Sequence, residues 1–172
     1  MSQSTAGHSS PWFNQRIRLY PVDVVPGTPP DFKSAAATVL ATFHVPQVEG
    51  GDSHTPTNPF LLRGVGATAA AAGGAQTTAG VANVKINGGA ALADSASTVF
   101  TLTSVASHAA GACLFTELNL TPAASALSTP PAYTTVNPGD VITIVVATQG
   151  VGAGSQTHYP YIVLTQAPGV TQ

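Results

Sequence analysis

Five histidines (His8, His44, His54, His108, His158) and seven acids (Asp23, Asp31, Glu49, Asp52, Asp94, Glu117, Asp140) are the groups of this chain best equipped for chemistry. Imidazoles ligate transition metals, and two carboxylates held across one bond do general acid–base work. Neither set is spaced for the task. No histidine pair stands at helical or finger spacing, so a metal site would need distant loops to converge. Glu49-Gly50-Gly51-Asp52 and Asp94 offer oxygen ligands of the kind calcium accepts, but acids in unlinked loops read more simply as solvated charge. Asp140 follows Pro138-Gly139, where a carboxylate is expected to bond the amides of a turn.

The glycine-rich stretches give no more. Gly64-Val65-Gly66 and the run from Gly150 to Gly154 lack the lysine and the strand-to-helix setting of a phosphate loop, and no Gly-x-Ser-x-Gly elbow occurs. Cys113 is the lone cysteine, which rules out an intrachain disulfide framework, and it is expected to be a small buried hydrophobe. The expectation is a protein that is no enzyme and carries no cofactor and no metal.

Charge narrows the classes further. Lys, Arg, Asp and Glu make up 7% of the 172 residues, against about 25% in an average soluble domain. A surface so poor in ions suits contact with other protein better than contact with water alone. Arg16, Arg18, Lys33, Arg63 and Lys85 are scattered along the sequence, which predicts no nucleic-acid partner. The apolar runs are too short to cross a membrane, and the polar stretch Met1–Ser10 has neither half of a secretory leader. Asn119-Leu120-Thr121 matches the glycosylation pattern but is discounted without a leader.

The elements that must position any site are strands. Fourteen prolines and seventeen glycines interrupt segments rich in Val, Thr, Ile and Phe that alternate with period two. Residues 1–35 form an N-terminal arm holding Trp12, Phe13 and the proline-rich stretch Pro26–Pro30. Within it Arg16–Tyr20 alternates charged and apolar side chains, as an edge strand against this chain or a neighbour would. Residues 36–172 form the body. Ala37, Val39, Ala41, Phe43 and Val45 share one face of its first strand, with a short helix over 31–40 as the competing reading. Residues 47–59 are a loop, 60–68 a strand, and 69–80 either a flexible loop or a close-packed edge. Val84–Asn87 leads into a Gly88-Gly89 hairpin turn. Phe100 and Leu102 point inward, as do Leu114, Thr116, Leu118 and Leu120, opposite Phe115 and Glu117. Thr121–Leu127 carries a short helix signal, Asn137–Asp140 a reverse turn, and Val141–Ala147 and Tyr159–Gln166 the last two strands. The whole predicts an all-β, jelly-roll-like sandwich of about eight strands with an extended N-terminal arm; an immunoglobulin-like sandwich is the alternative.

Val81-Ala-Asn-Val-Lys-Ile-Asn-Gly-Gly89, a threonine-rich hairpin, Val136-Asn-Pro-Gly-Asp-Val-Ile-Thr-Ile144 and Tyr161-Ile-Val-Leu-Thr165 together resemble the jelly-roll capsid decoration (cement) proteins of tailed bacteriophages. The resemblance covers about half of the chain and leaves the arm without a counterpart. It implies a homotrimer on the outer capsid surface of the virion that bridges subunits of the major capsid protein. On that reading Trp12, Phe13, Arg16, Arg18, Leu19 and Tyr20 are the expected anchors, because aromatics and arginine dominate interface energetics, with a local minicore under a long loop as the competing reading. A carbohydrate-binding module of a tail or surface appendage is the alternative, and would need Tyr133, Tyr159 and Tyr161 exposed on one face. A tail or fibre subunit is the third reading.

Overall fold

The computed structural model describes residues 16–46, 59–121 and 132–166. They form nine strands: β1 (Arg16–Leu19), β2 (Val39–His44), β3 (Phe60–Ala69), β4 (Val81–Ile86), β5 (Thr101–Thr103), β6 (Cys113–Glu117), β7 (Thr134–Val136), β8 (Val141–Thr148) and β9 (His158–Gln166). One sheet runs β1-β9-β3-β6, with the short β7 also pairing with β3; the other runs β2-β8-β4-β5. Every pairing is antiparallel. The pairs are nested, with β1 on β9, β2 on β8, β3 on β6 and β4 on β5. A long hairpin rolled so that its nested pairs fall alternately in two sheets is a jelly roll, and β7 is an addition on the path from β6 to β8.

Alternation puts one apolar row from each strand between the sheets. Phe43, Leu62, Val65, Val84, Leu102, Ile142, Ile144, Ile162 and Leu164 are all at most 1% exposed. Phe32, from the β1–β2 connection, plugs the layer at one end and is as deeply buried. The arm as drawn from the sequence thus contributes a strand and a core residue to the sandwich. Arg16–Leu19 takes the first of its two expected placements, on β9 of its own chain.

Three readings are corrected by local geometry. The register of β2 shifts between Val39 and Ala41, so Val39 turns outward at 49% exposure while Ala41, Phe43 and Val45 stay inside. Ala37 sits at φ +68° in the turn before β2, and no helix forms over 31–40. The hairpin after β4 places Asn87 and Gly88 at positive φ, with the Gly89 amide donating to the Ile86 carbonyl at 2.9 Å. The turn is therefore centred one residue earlier than Gly88-Gly89, because asparagine tolerates the left-handed region nearly as well as glycine.

The segment between β3 and β4 is closely packed. Gly73 lies against the His108 ring and Gly74 against Gly154. Gln156, fully buried, accepts from the Gly80 amide and the Ser104 hydroxyl, both at 2.8 Å, and donates to the Thr78 carbonyl at 3.2 Å. That network satisfies the backbone of a segment too poor in side chains to bury area of its own. The helix signal over 121–127 and the loop over 47–59 fall almost wholly outside the described residues.

Candidate functional site

The outer face of the five-stranded sheet is built from β1, β9, β3 and β6. Arg16 and Arg18 project from β1, opposite Thr165 and Val163 of β9. Tyr159, Tyr161 and Val163 alternate along β9 with the buried Ile162 and Leu164 of the core. On β3, a register shift between Leu62 and Gly64 exchanges the two faces of the strand. Leu62 points inward before it and Val65 and Ala67 point inward after it, which leaves Gly64 and Gly66 on the outer side. A bulge of this kind re-aims side chains without ending the pairing.

The two glycines make room for rings. A Cβ at Gly66 would overlap the Tyr161 ring, and one at Gly64 would overlap Phe115 of β6. Large rings laid over strand glycines restore the burial those positions lack. Tyr161 is only 4% exposed as a result, whereas Phe115 keeps 49% of its surface open. The guanidinium of Arg18 lies over the Tyr161 ring, 4.2 Å from its centroid, and that of Arg63 lies 3.7 Å over Tyr133. The Tyr133 hydroxyl donates to Glu117 at 2.6 Å. Burial and that acceptor push the Tyr133 phenol above its usual range, with Arg63 opposing; burial likewise raises Tyr161, with Arg18 opposing.

All three arginines of the chain meet on this face, with Glu117 the only acid that faces them among the described residues. Between Arg16, Arg18, Phe115, Tyr161 and Val163 lies a cleft of about 310 Å³. A second groove, of about 420 Å³, opens beside it between Tyr20, Pro21, Val24, Pro26 and Gly27 on one side and Thr68, Tyr159 and Pro160 on the other. The opposite sheet differs. Its outward positions are filled by small or neutral residues such as Thr42, Asn83, Thr101, Thr103 and Thr143, with Lys85.

Of the expected anchors, Arg16 and Arg18 lie in the cleft, and Tyr20, 65% exposed, lines the groove. Leu19 is half-buried and packs on the core, so it holds β1 down and does not reach outward. Trp12 and Phe13 lie outside the described residues. Sequence reasoning missed Arg63 and Phe115 on this surface, and named Tyr133 and Tyr161 only for the carbohydrate-binding alternative. The available signal was the pair Gly64 and Gly66 at a spacing of two, since small residues alternating on one strand face leave space for neighbours' rings.

The other candidate chemistry resolves into local structure. Asp140 accepts from the Asn137 amide at 2.7 Å and from Asn87 Nδ2 at 2.8 Å, as a turn carboxylate is expected to do. Asp94 accepts from the amides of Ala96 and Thr98 in its own turn. Glu49 and Asp52, like His8 and His54, lie outside the described residues. Two histidines do converge: the rings of His108 and His158 are 5.2 Å apart, and Phe32 meets His158 edge-on at the same distance. No third metal-ligating group joins them among the described residues. Cys113 is exposed, because it falls on the outward row of the edge strand β6, and is not the buried hydrophobe expected. Among the described residues no helix is long and apolar enough to cross a membrane.

The described part of the chain is thus a jelly-roll β-sandwich with an arginine- and tyrosine-bearing sheet face. Comparison with protein-family models, curated proteins and solved structures finds no match.

Proposed function

We propose that this chain is a structural virion protein, a capsid decoration (cement) subunit that binds the outer surface of the major capsid protein lattice and stabilises the head. The observation that carries this reading is the outer face of the five-stranded sheet, where three of the chain's five basic residues and a set of rings collect. Guanidinium groups held in place on aromatic rings are suited to protein contacts, because little side-chain freedom is left to lose on binding. The jelly roll agrees with a capsid role but does not decide it, since lectins share the fold. On this proposal the chain acts as a homotrimer, needs no cofactor and performs no catalysis. Each bound trimer contributes interface area that exists only in the closed shell, and so lowers the free energy of that shell relative to its opened forms.

The carbohydrate-binding alternative calls for open aromatic platforms. Two of its three tyrosines, Tyr133 and Tyr161, have a ring face covered by an arginine, which favours the protein-docking reading. A tail or fibre subunit would use the same physics at another place on the particle. The test is to add the purified chain to phage heads prepared without it and to follow the temperature at which they release DNA. The proposal expects saturable binding and a higher release temperature; saturable binding that leaves the release temperature unchanged would sink it.

A further inference from the structure

We infer that the cleft walled by Arg16, Arg18, Phe115 and Tyr161 receives aspartate or glutamate side chains from an acidic segment of a different protein; this rests on the reading of the face as a docking surface. Arg16 and Arg18 stand two residues apart on the same side of β1, which sets their Cα atoms about 6.5 Å apart and lets each address its own carboxylate along an extended segment. The groups that act on the Arg18 guanidinium among the described residues are Tyr20, Tyr161 and Cys113, with no carboxylate among them. Arg18 is already stacked on Tyr161, and the exposed Phe115 supplies the apolar wall against which the stem of an acidic side chain packs. Guanidinium–carboxylate pairing is directional and often bidentate, so a fixed fork on an aromatic ring selects a planar anion above a diffuse negative field.

The occupant follows from where the acids of this chain are. All five described carboxylates accept a hydrogen bond from within the chain: Asp23 from the Thr42 amide, Asp31 from Lys33, Asp94 from Ala96 and Thr98, Asp140 from Asn137 and Asn87, and Glu117 from Tyr133. The described acids stand singly on separate strands and turns and form no run of carboxylates able to address two arginines of one extended strand, so complementarity points to an acidic segment of another protein. Nucleic acid would call for a longer basic stripe and open rings for stacking. Here the basic groups are three arginines, and of the two rings in the cleft Tyr161 is buried and Phe115 alone is open.

The test uses the full chain and fluorescence anisotropy of a labelled Glu-Ser repeat peptide at low salt, with a Gln-Ser repeat and a sulfated oligosaccharide as comparison probes. The inference expects the Glu-Ser peptide to bind, the Gln-Ser peptide not to bind, and added salt to weaken the complex. Replacing Arg16→Gln with Arg18→Gln should weaken binding about tenfold or more, equivalent to about 1.4 kcal/mol. Lys33→Gln with Lys85→Gln removes the same formal charge elsewhere and should change it far less. Equal losses in the two double variants, tighter binding of the oligosaccharide, or no binding of the Glu-Ser peptide would each overturn the inference. If the peptide fails while the wild-type chain still binds and stabilises heads, the cement reading survives without the carboxylate cleft. If the peptide binds but heads do not, the cleft stands and the cement reading falls.

Discussion

His158 is fully buried, and its Nδ1–H donates to the Gln156 carbonyl at 2.9 Å, which leaves Nε2 as an unprotonated nitrogen with no partner among the described residues. Protonating Nε2 would bury a charge between the rings of Phe32 and His108. Burial accordingly pushes the His158 pKa below its ordinary value; the bond to the Gln156 carbonyl opposes it, His108 acts with burial, and Asp31 acts against it. In the unfolded chain the imidazole titrates near pH ~6.5, so below that pH the unfolded state takes up a proton that the folded state refuses. The stability due to this group is complete above that pH and declines as pH falls towards the depressed folded value, by up to about 1.4 kcal/mol per pH unit. Thermal melts at pH 7 and pH 5 should show the wild-type chain losing stability on acidification, and His158→Gln should lose less over the same interval. An unchanged slope in the variant would contradict the assignment. The same dependence on surroundings explains why a list of histidines was uninformative as sequence. His108 and His158 are fifty residues apart along the chain and meet only because β9 begins beside the β5–β6 connection.

At the level of elements, the two turns at one end of the sandwich are tied together through Asp140. Its carboxylate closes its own turn through Asn137 and reaches across to Asn87, whose Oδ1 in turn accepts from the Val141 amide at 2.9 Å. Asp140→Ala should cost about 1–2 kcal/mol, as loss of a charged acceptor with two donors does. A double-mutant cycle with Asn87→Ala should return a coupling of roughly 0.5–1.5 kcal/mol, measured by denaturant unfolding; strict additivity would rule out the tie. The Pro-Gly-Asp turn and the apolar strand behind it were legible in the sequence because their chemistry is local. So were the inward rows of β5 and β6, where period-two alternation runs unbroken. The faces of β2 and β3 were not, because register shifts at Val39 and after Leu62 reverse the alternation, and a bulge is selected by the partner strand as much as by its own residues. The outer site suffered most from this. Read with strict alternation, Gly64 and Gly66 share the side of Leu62, and the room they make for Phe115 and Tyr161 is hidden.

Across the whole molecule, nested strand pairs make a sandwich whose two outer faces differ in kind: one carries small neutral residues with Lys85, the other the arginines and their rings. Of the five basic residues, the three arginines share one outer face, which is the docking side on the proposed reading. On the proposed reading Arg16 and Arg18 take part in attachment as residues of a strand of the sandwich. The most direct test compares head binding by the wild-type chain, Arg16→Gln with Arg18→Gln, and Lys33→Gln with Lys85→Gln, after melts establish that all three fold equally well. Exposed arginines contribute little to folding stability, so equal melts are expected. The account predicts saturable binding by the wild type and by the lysine variant, and a loss of about a hundredfold, or about 2.7 kcal/mol, in the arginine variant. Equal binding by all three would contradict it.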